Sequence, residues 1–191
     1  MAALANDMVV DPSGRAYIGN VGYDFLFADQ PSRQAEIVLV MPDGTARVVA
    51  DQLDFPNGMV ITPDMQTLIV GETAGERLTA FDIEPDGSLI RRRLWAQIEG
   101  GSPDGICLDA DGALWVAALG RDEVVRIREG GEITHRVHVT TAPFACMLGG
   151  RDGHTLFVAT ANFTGSIEET RASKSGRIEV VHVEVPGAGW P

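Results

Sequence analysis

The 191-residue sequence is short of cysteine and of basic side chains. With 15 Lys and Arg against 27 Asp and Glu, the formal net charge is −12, which argues against nucleic acid or an anionic membrane as a partner. No run approaches the roughly 18 apolar residues of a membrane span. The two cysteines, Cys107 and Cys146, lie in apolar runs and form no CxxC pair. This favours buried, reduced thiols in a cytoplasmic protein over a disulfide.

Several common catalytic motifs are also missing. The sequence contains no GxSxG, no HExxH, no Walker loop and no GxGxxG after a strand. The beginning of the chain lacks the basic and apolar segments of a secretory signal, which predicts that no signal peptide is present. The four histidines are predicted to be satisfied or exposed on outer strands or a turn: His135, His138, His154 and His182.

One unit recurs four times, and it is clearest at residues 102–119. Pro103-Asp104-Gly105 reads as a tight turn in which glycine takes a conformation that other residues avoid. Two short apolar strands follow, joined by a turn that ends in the Asp-Gly pair typical of hairpins. The first positions of the four units are 51, 47 and 40 residues apart: Asn6, Asn57, Asp104 and Phe144.

A period of this length, with several short strands and no helix in each repeat, predicts an all-β fold of propeller blades. The pattern gives one partial propeller domain over residues 1–191, with fifteen strands and a last blade that lacks its outer strand. Residues 162–176 read as a polar loop. The blades are predicted at residues 6–50, 56–96, 103–139 and 143–183. Because no segment ahead of the first blade supplies the missing strand, we expect either a fragment or an unclosed array, whose open edges are a liability.

The depth of each strand is predicted from its polarity. The first two strands of each unit are more continuously apolar than the other two, so we expect them to lie deeper. The third and fourth strands alternate apolar and polar residues, which is typical of strands with one wet face.

Asn6, Asn57 and Asp104 occupy equivalent positions at the start of inner strands, so a propeller would bring them to one end of its central channel. They supply one carboxylate and two amide oxygens, a set suited to Ca²⁺, Mg²⁺ or Mn²⁺. Each motif taken alone is also an ordinary turn. A single carboxylate provides little negative charge for a divalent cation, so a further acidic ligand is expected elsewhere.

These motifs together resemble the SMP-30/gluconolactonase/LRE family, and the resemblance covers essentially the whole chain. The family is a six-bladed propeller that hydrolyses sugar lactones with a divalent cation at the channel mouth. The resemblance implies Asn57 and Asp104 as metal ligands, Asp104 also as the catalytic proton acceptor, and Asn6 as a substrate-binding residue. Calcium is the first candidate, with magnesium, manganese or zinc as alternatives. The matching runs are Asn6-Asp7-Met8-Val9-Val10-Asp11, Phe55-Pro56-Asn57-Gly58, Ser102-Pro103-Asp104-Gly105-Ile106 and Ala145-Cys146-Met147-Leu148-Gly149-Gly150.

Two features depart from the family pattern. The glutamate ligand of the family lies upstream of anything in this sequence, so the chain matches about four blades of six. Leu4 stands where some members place an arginine. We therefore expect weak metal binding by the 191-residue chain and an activity that truncation would impair.

Other interpretations remain open at this point. A propeller can serve as a non-catalytic binding scaffold, because fold does not fix function. A strictosidine-synthase-like relative would share the architecture, and open blades would allow two chains to associate. Residues 19–27 could form a lid over the channel or could simply pack their own aromatic side chains.

Overall fold

The computed structural model describes residues 4–23, 34–164 and 166–189. Four antiparallel sheets follow one another along the chain, and each is a meander in which consecutive strands pair. The first sheet contains β1 (Ala5–Val10), β2 (Ala16–Asn20), β3 (Ala35–Val40) and β4 (Ala46–Leu53). The second contains β5 (Pro56–Ile61), β6 (Thr67–Glu72), β7 (Arg77–Ile83) and β8 (Leu89–Gln97).

The third sheet contains β9 (Ser102–Leu108), β10 (Leu114–Leu119), β11 (Glu123–Ile127) and β12 (Ile133–His138). The fourth has three strands, β13 (Ala142–Gly149), β14 (Thr155–Ala161) and β15 (Arg177–His182). The predicted partial propeller, with fifteen strands in the described part of the chain, is therefore confirmed. The first strands of successive sheets contact one another in the order β1, β5, β9, β13, so they form the inner wall of the blade array.

The hydrophobic core consists of three clusters, and each lies between two consecutive blades. Ile61 and Leu68 pack toward the first blade, whereas the alternate residues Val60 and Ile69 pack toward the third. A third cluster between the last two blades includes Trp115. The two middle blades are therefore covered on both faces, which explains why their first two strands are continuous apolar runs.

This arrangement corrects the prediction of strand depth. All five residues of β11 are buried although the strand was predicted to have a wet face, and most of β7 is buried as well. Arg126 in β11 is only 2% exposed and its Nε donates to Asp109 Oδ2 at 2.6 Å. Conversely, the first strand β1 is mostly exposed. Whether a strand is buried therefore depends on whether its blade has neighbours on both sides, and not only on whether it is the first, second, third or fourth strand of the blade.

A short helix replaces part of the predicted polar loop. Helix α1 (Ile167–Ser173) begins after Ser166, whose side chain accepts a hydrogen bond from the backbone N–H of Glu169. This is half of a capping box. The helix buries none of its side chains, so it left no apolar periodicity in the sequence. Among the described residues, no helix has the length and apolar character needed to cross a membrane.

The two cysteines are free and buried on the inner strands of neighbouring blades. Their sulfur atoms, Cys107 Sγ and Cys146 Sγ, lie 3.9 Å apart. The hydrogen bond between the thiols and the burial of the pair both raise the pKa of Cys146. Both thiols are buried side chains of the core rather than exposed nucleophiles.

Candidate functional site

Each innermost strand carries one extra residue near its beginning. In β1, β5 and β9, the pairing advances three residues along the inner strand for two residues along its partner. In β13 it advances two residues for one. Such bulges bend a strand and turn side chains away from the regular alternation. The four bulged segments contain Asn6, Asn57, Asp104 and Phe144, the positions that the repeat singles out.

The tight turns predicted at two of these positions are wrong. Asn57 lies inside β5 and Asp104 inside β9, and the glycines that follow them do not have a positive φ. Glycine is needed at both positions because a side chain would not fit there. A Cβ on Gly58 would lie 2.6 Å from Asp104 O and from Ile106 N, and a Cβ on Gly105 would lie 2.7 Å from Ala145 Cα. These glycines allow neighbouring inner strands to approach each other closely.

This close approach places Asn57 beside Asp104 on the neighbouring inner strand. Asn57 is buried, with a relative exposure of 7%, and its side chain lowers the pKa of the Asp104 carboxyl group. Burial of Asp104 and the neighbouring charge of Asp7 raise the pKa of Asp104 to about 7, against the lowering effect of the Asn57 hydrogen bond. The carboxylate of Asp104 and the amide of Asn57, from consecutive blades, thus lie near each other.

Asn6 lies beside this pair on the first blade. Its Nδ2 donates to the backbone oxygen of Pro56, at 3.2 Å, so it is anchored one residue away from Asn57. The Asn6 side chain is exposed. That the oxygen atoms of all three side chains meet around a cation stays a prediction.

Asp7 is a functional candidate that sequence reasoning missed. Partial desolvation raises its pKa, and its charge acts on Asp104. It lines a cavity of about 400 Å³ on the inner wall, together with Gly58 and Gly105. The signal was present in the sequence, because Asp7 lies in the same bulge as Asn6 and carries the second carboxylate that the expected cation needs.

The donor set fits a hard divalent cation. Asp7 and Asp104 form no ion pair with any basic side chain in the described part of the chain. Two carboxylates held close without a compensating charge are costly, and a cation relieves that cost. Within residues 4–23, 34–164 and 166–189, no group of three or more His, Cys, Asp or Glu side chains is arranged to hold a metal. A cation bound beside Asp104 would therefore need amide as well as carboxylate oxygens.

Asp104 is expected to make the native state less stable as the pH rises. Its folded pKa of about 7 lies above the ordinary value of 3.8. The native state therefore holds a proton that the unfolded chain releases, and stability falls between about pH 4 and pH 7. We expect Asp104→Asn to be more stable than the wild type by roughly 2 kcal/mol at pH 8 and by less than about 0.5 kcal/mol at pH 4. Urea unfolding at both pH values measures this.

The control for this experiment is Asp43→Asn, because Asp43 is exposed in a turn of the first blade. An Asp104→Asn stability difference that is the same at both pH values would contradict the raised pKa. A loss of stability at pH 8 would contradict the missing counter-charge as well.

The predicted lid falls partly outside the described residues, since residues 24–27 are not among them. The described part of the loop contacts Phe55, two residues before Asn57. The ring of Tyr23 meets the ring of Phe55 edge-on, with 6.2 Å between ring centroids. Leu4, at the position where some family members have arginine, is 44% exposed.

Comparison with known proteins identifies the family to which the chain belongs. The family model described as SMP-30/Gluconolactonase/LRE-like region matches residues 2–162. The 6-deoxy-6-sulfogluconolactonase of Pseudomonas putida is 28% identical over 191 residues, which cover 97% of this chain and 64% of that protein. The chain thus spans less than two thirds of this curated relative.

Two solved structures are similar to the fold. A gluconolactonase from Xanthomonas campestris superposes with a TM-score of 0.68 at 29% identity, over 82% of this chain and 54% of that one. A calcium-binding protein, regucalcin, from Agrobacterium tumefaciens has a TM-score of 0.79 at 23% identity, over 98% of this chain and 63% of that one.

Proposed function

Because the chain belongs to the SMP-30/gluconolactonase/LRE-like family, we propose that it serves the metal-dependent hydrolysis of sugar lactones. The observation that carries this proposal is the close approach of the strands that carry Asn57 and Asp104, on two consecutive blades, with the carboxylate of Asp7 near enough to raise the pKa of Asp104. Such a cluster attracts a divalent cation and a polar substrate, whereas a structural turn does not require two uncompensated carboxylates.

We assign the cation to Asn57 and Asp104, with calcium first and magnesium, manganese or zinc as alternatives. A bound divalent cation would act as a Lewis acid toward the lactone carbonyl or would acidify a water molecule. The negative charge of Asp7 acts on Asp104 from the neighbouring inner wall. The 28% identity to a sulfogluconolactonase supports a lactone as substrate.

The protein groups have separate tasks in this proposal. A water oxygen forms a bond to the carbonyl carbon, the ring C–O bond breaks, and the product is the open hydroxy acid. Asp104 accepts the proton that the water loses, and the ring oxygen gains a proton as its bond to the carbonyl carbon breaks. Asn6 orients the sugar hydroxyl groups from the neighbouring blade, where its contact with Pro56 O anchors it.

The activity is tested by hydrolysis of glucono-δ-lactone with and without EDTA, for the wild type and Asp104→Ala. We expect EDTA and the substitution each to reduce turnover to near the uncatalysed rate, and millimolar Ca²⁺ to restore only the wild type. Asp43→Ala serves as the matched acidic control and keeps its activity. Unchanged metal-dependent turnover in Asp104→Ala would reject the site, and no metal-dependent turnover in any variant would favour the scaffold alternative.

Binding of Ca²⁺ to this chain is proposed to be weak, with a dissociation constant on the order of 10⁻⁴ to 10⁻³ M. The described residues offer few carboxylates to the cation. Tight calorimetric binding would contradict this. A cytoplasmic location, the absence of nucleic-acid and membrane partners, and self-association through open blades remain predictions. The apolar Met8 and Phe157 on the two terminal blades, 59% and 39% exposed, support the last of these.

A further inference from the structure

Three hydrogen bonds connect Thr73 to the Asn57 amide and to the two inner strands beside it. Asn57 Nδ2 donates to Thr73 Oγ1 at 3.1 Å, and Thr73 Oγ1 donates to the backbone oxygen of Pro103 at 2.7 Å. The Thr73 backbone N–H donates to Phe55 O at 2.9 Å. Thr73 therefore links the strand that carries Asn57 to the strand that carries Asp104.

The direction of these bonds follows from the chemistry of the groups. A carbonyl oxygen only accepts, so the single hydroxyl proton of Thr73 is used on Pro103 O. The hydroxyl can then only accept from Asn57, which fixes the amide nitrogen on the Thr73 side. A flipped amide would place its oxygen against a hydroxyl oxygen that has no proton to offer.

The position of the amide oxygen follows from that of the nitrogen. The amide group is planar, and its nitrogen and oxygen lie on opposite sides of the bond that joins it to the rest of the side chain. With Nδ2 held against Thr73 Oγ1, the oxygen faces away from Thr73. The amide oxygen is therefore the group that can face a cation.

We propose that Thr73 is a positioning residue that sets the orientation of the Asn57 amide, so that its oxygen rather than its nitrogen is presented to a divalent cation. This inference rests on the proposed function for the identity of the ligand. It adds a residue that neither the repeat nor the predicted site includes. Thr73 acts through Asn57 and touches neither the cation nor the substrate.

The test uses the full 191-residue chain and three variants. Thr73→Val keeps the shape and removes the hydroxyl, whereas Thr73→Ser keeps the hydroxyl. Thr67→Val is the matched control, because Thr67 begins β6, the strand that ends just before Thr73. One readout is hydrogen exchange of the Asn57 side-chain amide measured by NMR without metal. The other is the affinity for Mn²⁺, measured by paramagnetic broadening.

We expect Thr73→Val to speed exchange of the Asn57 amide and to weaken Mn²⁺ binding roughly tenfold. Thr73→Ser and Thr67→Val should resemble the wild type in both readouts. Unfolding midpoints of the two valine variants show whether a general loss of stability accounts for any change, since that would affect both alike.

The outcomes separate this inference from the proposed function. An Asn57 amide unaffected by Thr73→Val overturns the positioning role, whatever the metal does. Equal Mn²⁺ affinity for Thr73→Val and the wild type also overturns it. If Mn²⁺ does not bind near Asn57 in the wild type, the proposed metal site fails, and the amide exchange still decides whether Thr73 orients Asn57.

Discussion

Gly58→Ala is expected to destabilise the fold by roughly 3 kcal/mol or more. The added Cβ would lie 2.6 Å from Asp104 O and from Ile106 N, and both are backbone atoms of the neighbouring inner strand. Backbone atoms of a strand buried between two blades cannot move aside as the end of a flexible side chain can. The clash therefore has to separate β5 from β9, which also separates Asn57 from Asp104.

Urea unfolding of Gly58→Ala measures this effect. The matched control is Gly176→Ala, because a Cβ at Gly176 meets nothing within 4 Å and the residue does not have a positive φ. We expect the control to stay within about 0.5 kcal/mol of the wild type. Equal stability of the two variants would contradict the close approach of the inner strands.

Glu72→Gln is the second substitution with a large expected effect. Glu72 is completely buried, and its carboxylate accepts hydrogen bonds from Arg77, Arg92, Thr79 and the backbone N–H of Asp54. Removal of one charge from a buried ion-pair network leaves the others uncompensated. We expect a loss of roughly 3 kcal/mol in the free energy of unfolding at pH 7.

The pH dependence identifies the cause of that loss. Burial alone would raise the pKa of Glu72, but the hydrogen bonds from Arg77 and Thr79 outweigh it and hold the pKa below its usual value. The network therefore stabilises the fold above about pH 4.5, and this contribution is lost as the pH falls through the folded pKa. The difference between Glu72→Gln and the wild type should shrink in acid.

An exposed glutamate provides the control for Glu72. Glu132 pairs with Arg128 on the surface, and its side chain is 66% exposed. We expect Glu132→Gln to change stability by less than about 0.5 kcal/mol. A loss for Glu72→Gln no larger than for Glu132→Gln would show that the buried network contributes little.

The architecture was predictable because its signals are local. Asp-Gly turns and short apolar runs at a regular period define the blades, and the fifteen strands follow from them. The helix α1 could not be predicted from apolar periodicity because it buries nothing, although Ser166 and Glu169 mark its start.

Burial could not be predicted as well, because it depends on neighbours that are distant in sequence. Arg126 reads as a residue of a wet face, yet the next blade covers it and Asp109 compensates its charge. Likewise, Gly58 reads as a turn glycine, and only the distance to Asp104 O explains why the position excludes a side chain.

The candidate site was predictable in part. Equivalent repeat positions singled out Asn6, Asn57 and Asp104, and all three lie in the bulges of neighbouring inner strands. That their oxygen atoms meet around one cation stays a prediction. Thr73 was missed because its role consists of contacts to Asn57 and Pro103 that no local motif encodes.

Mn²⁺ titration followed by NMR tests the convergence of the site most directly, because paramagnetic broadening reports proximity to the cation even when binding is weak. We expect the backbone amides of Asp7, Asn57, Gly58, Asp104 and Gly105 to lose intensity first, on three different blades at the same Mn²⁺ concentration. Broadening confined to exposed turn carboxylates such as Asp43 and Asp86, with the inner-strand amides unchanged, would contradict a cation site formed by Asn57 and Asp104.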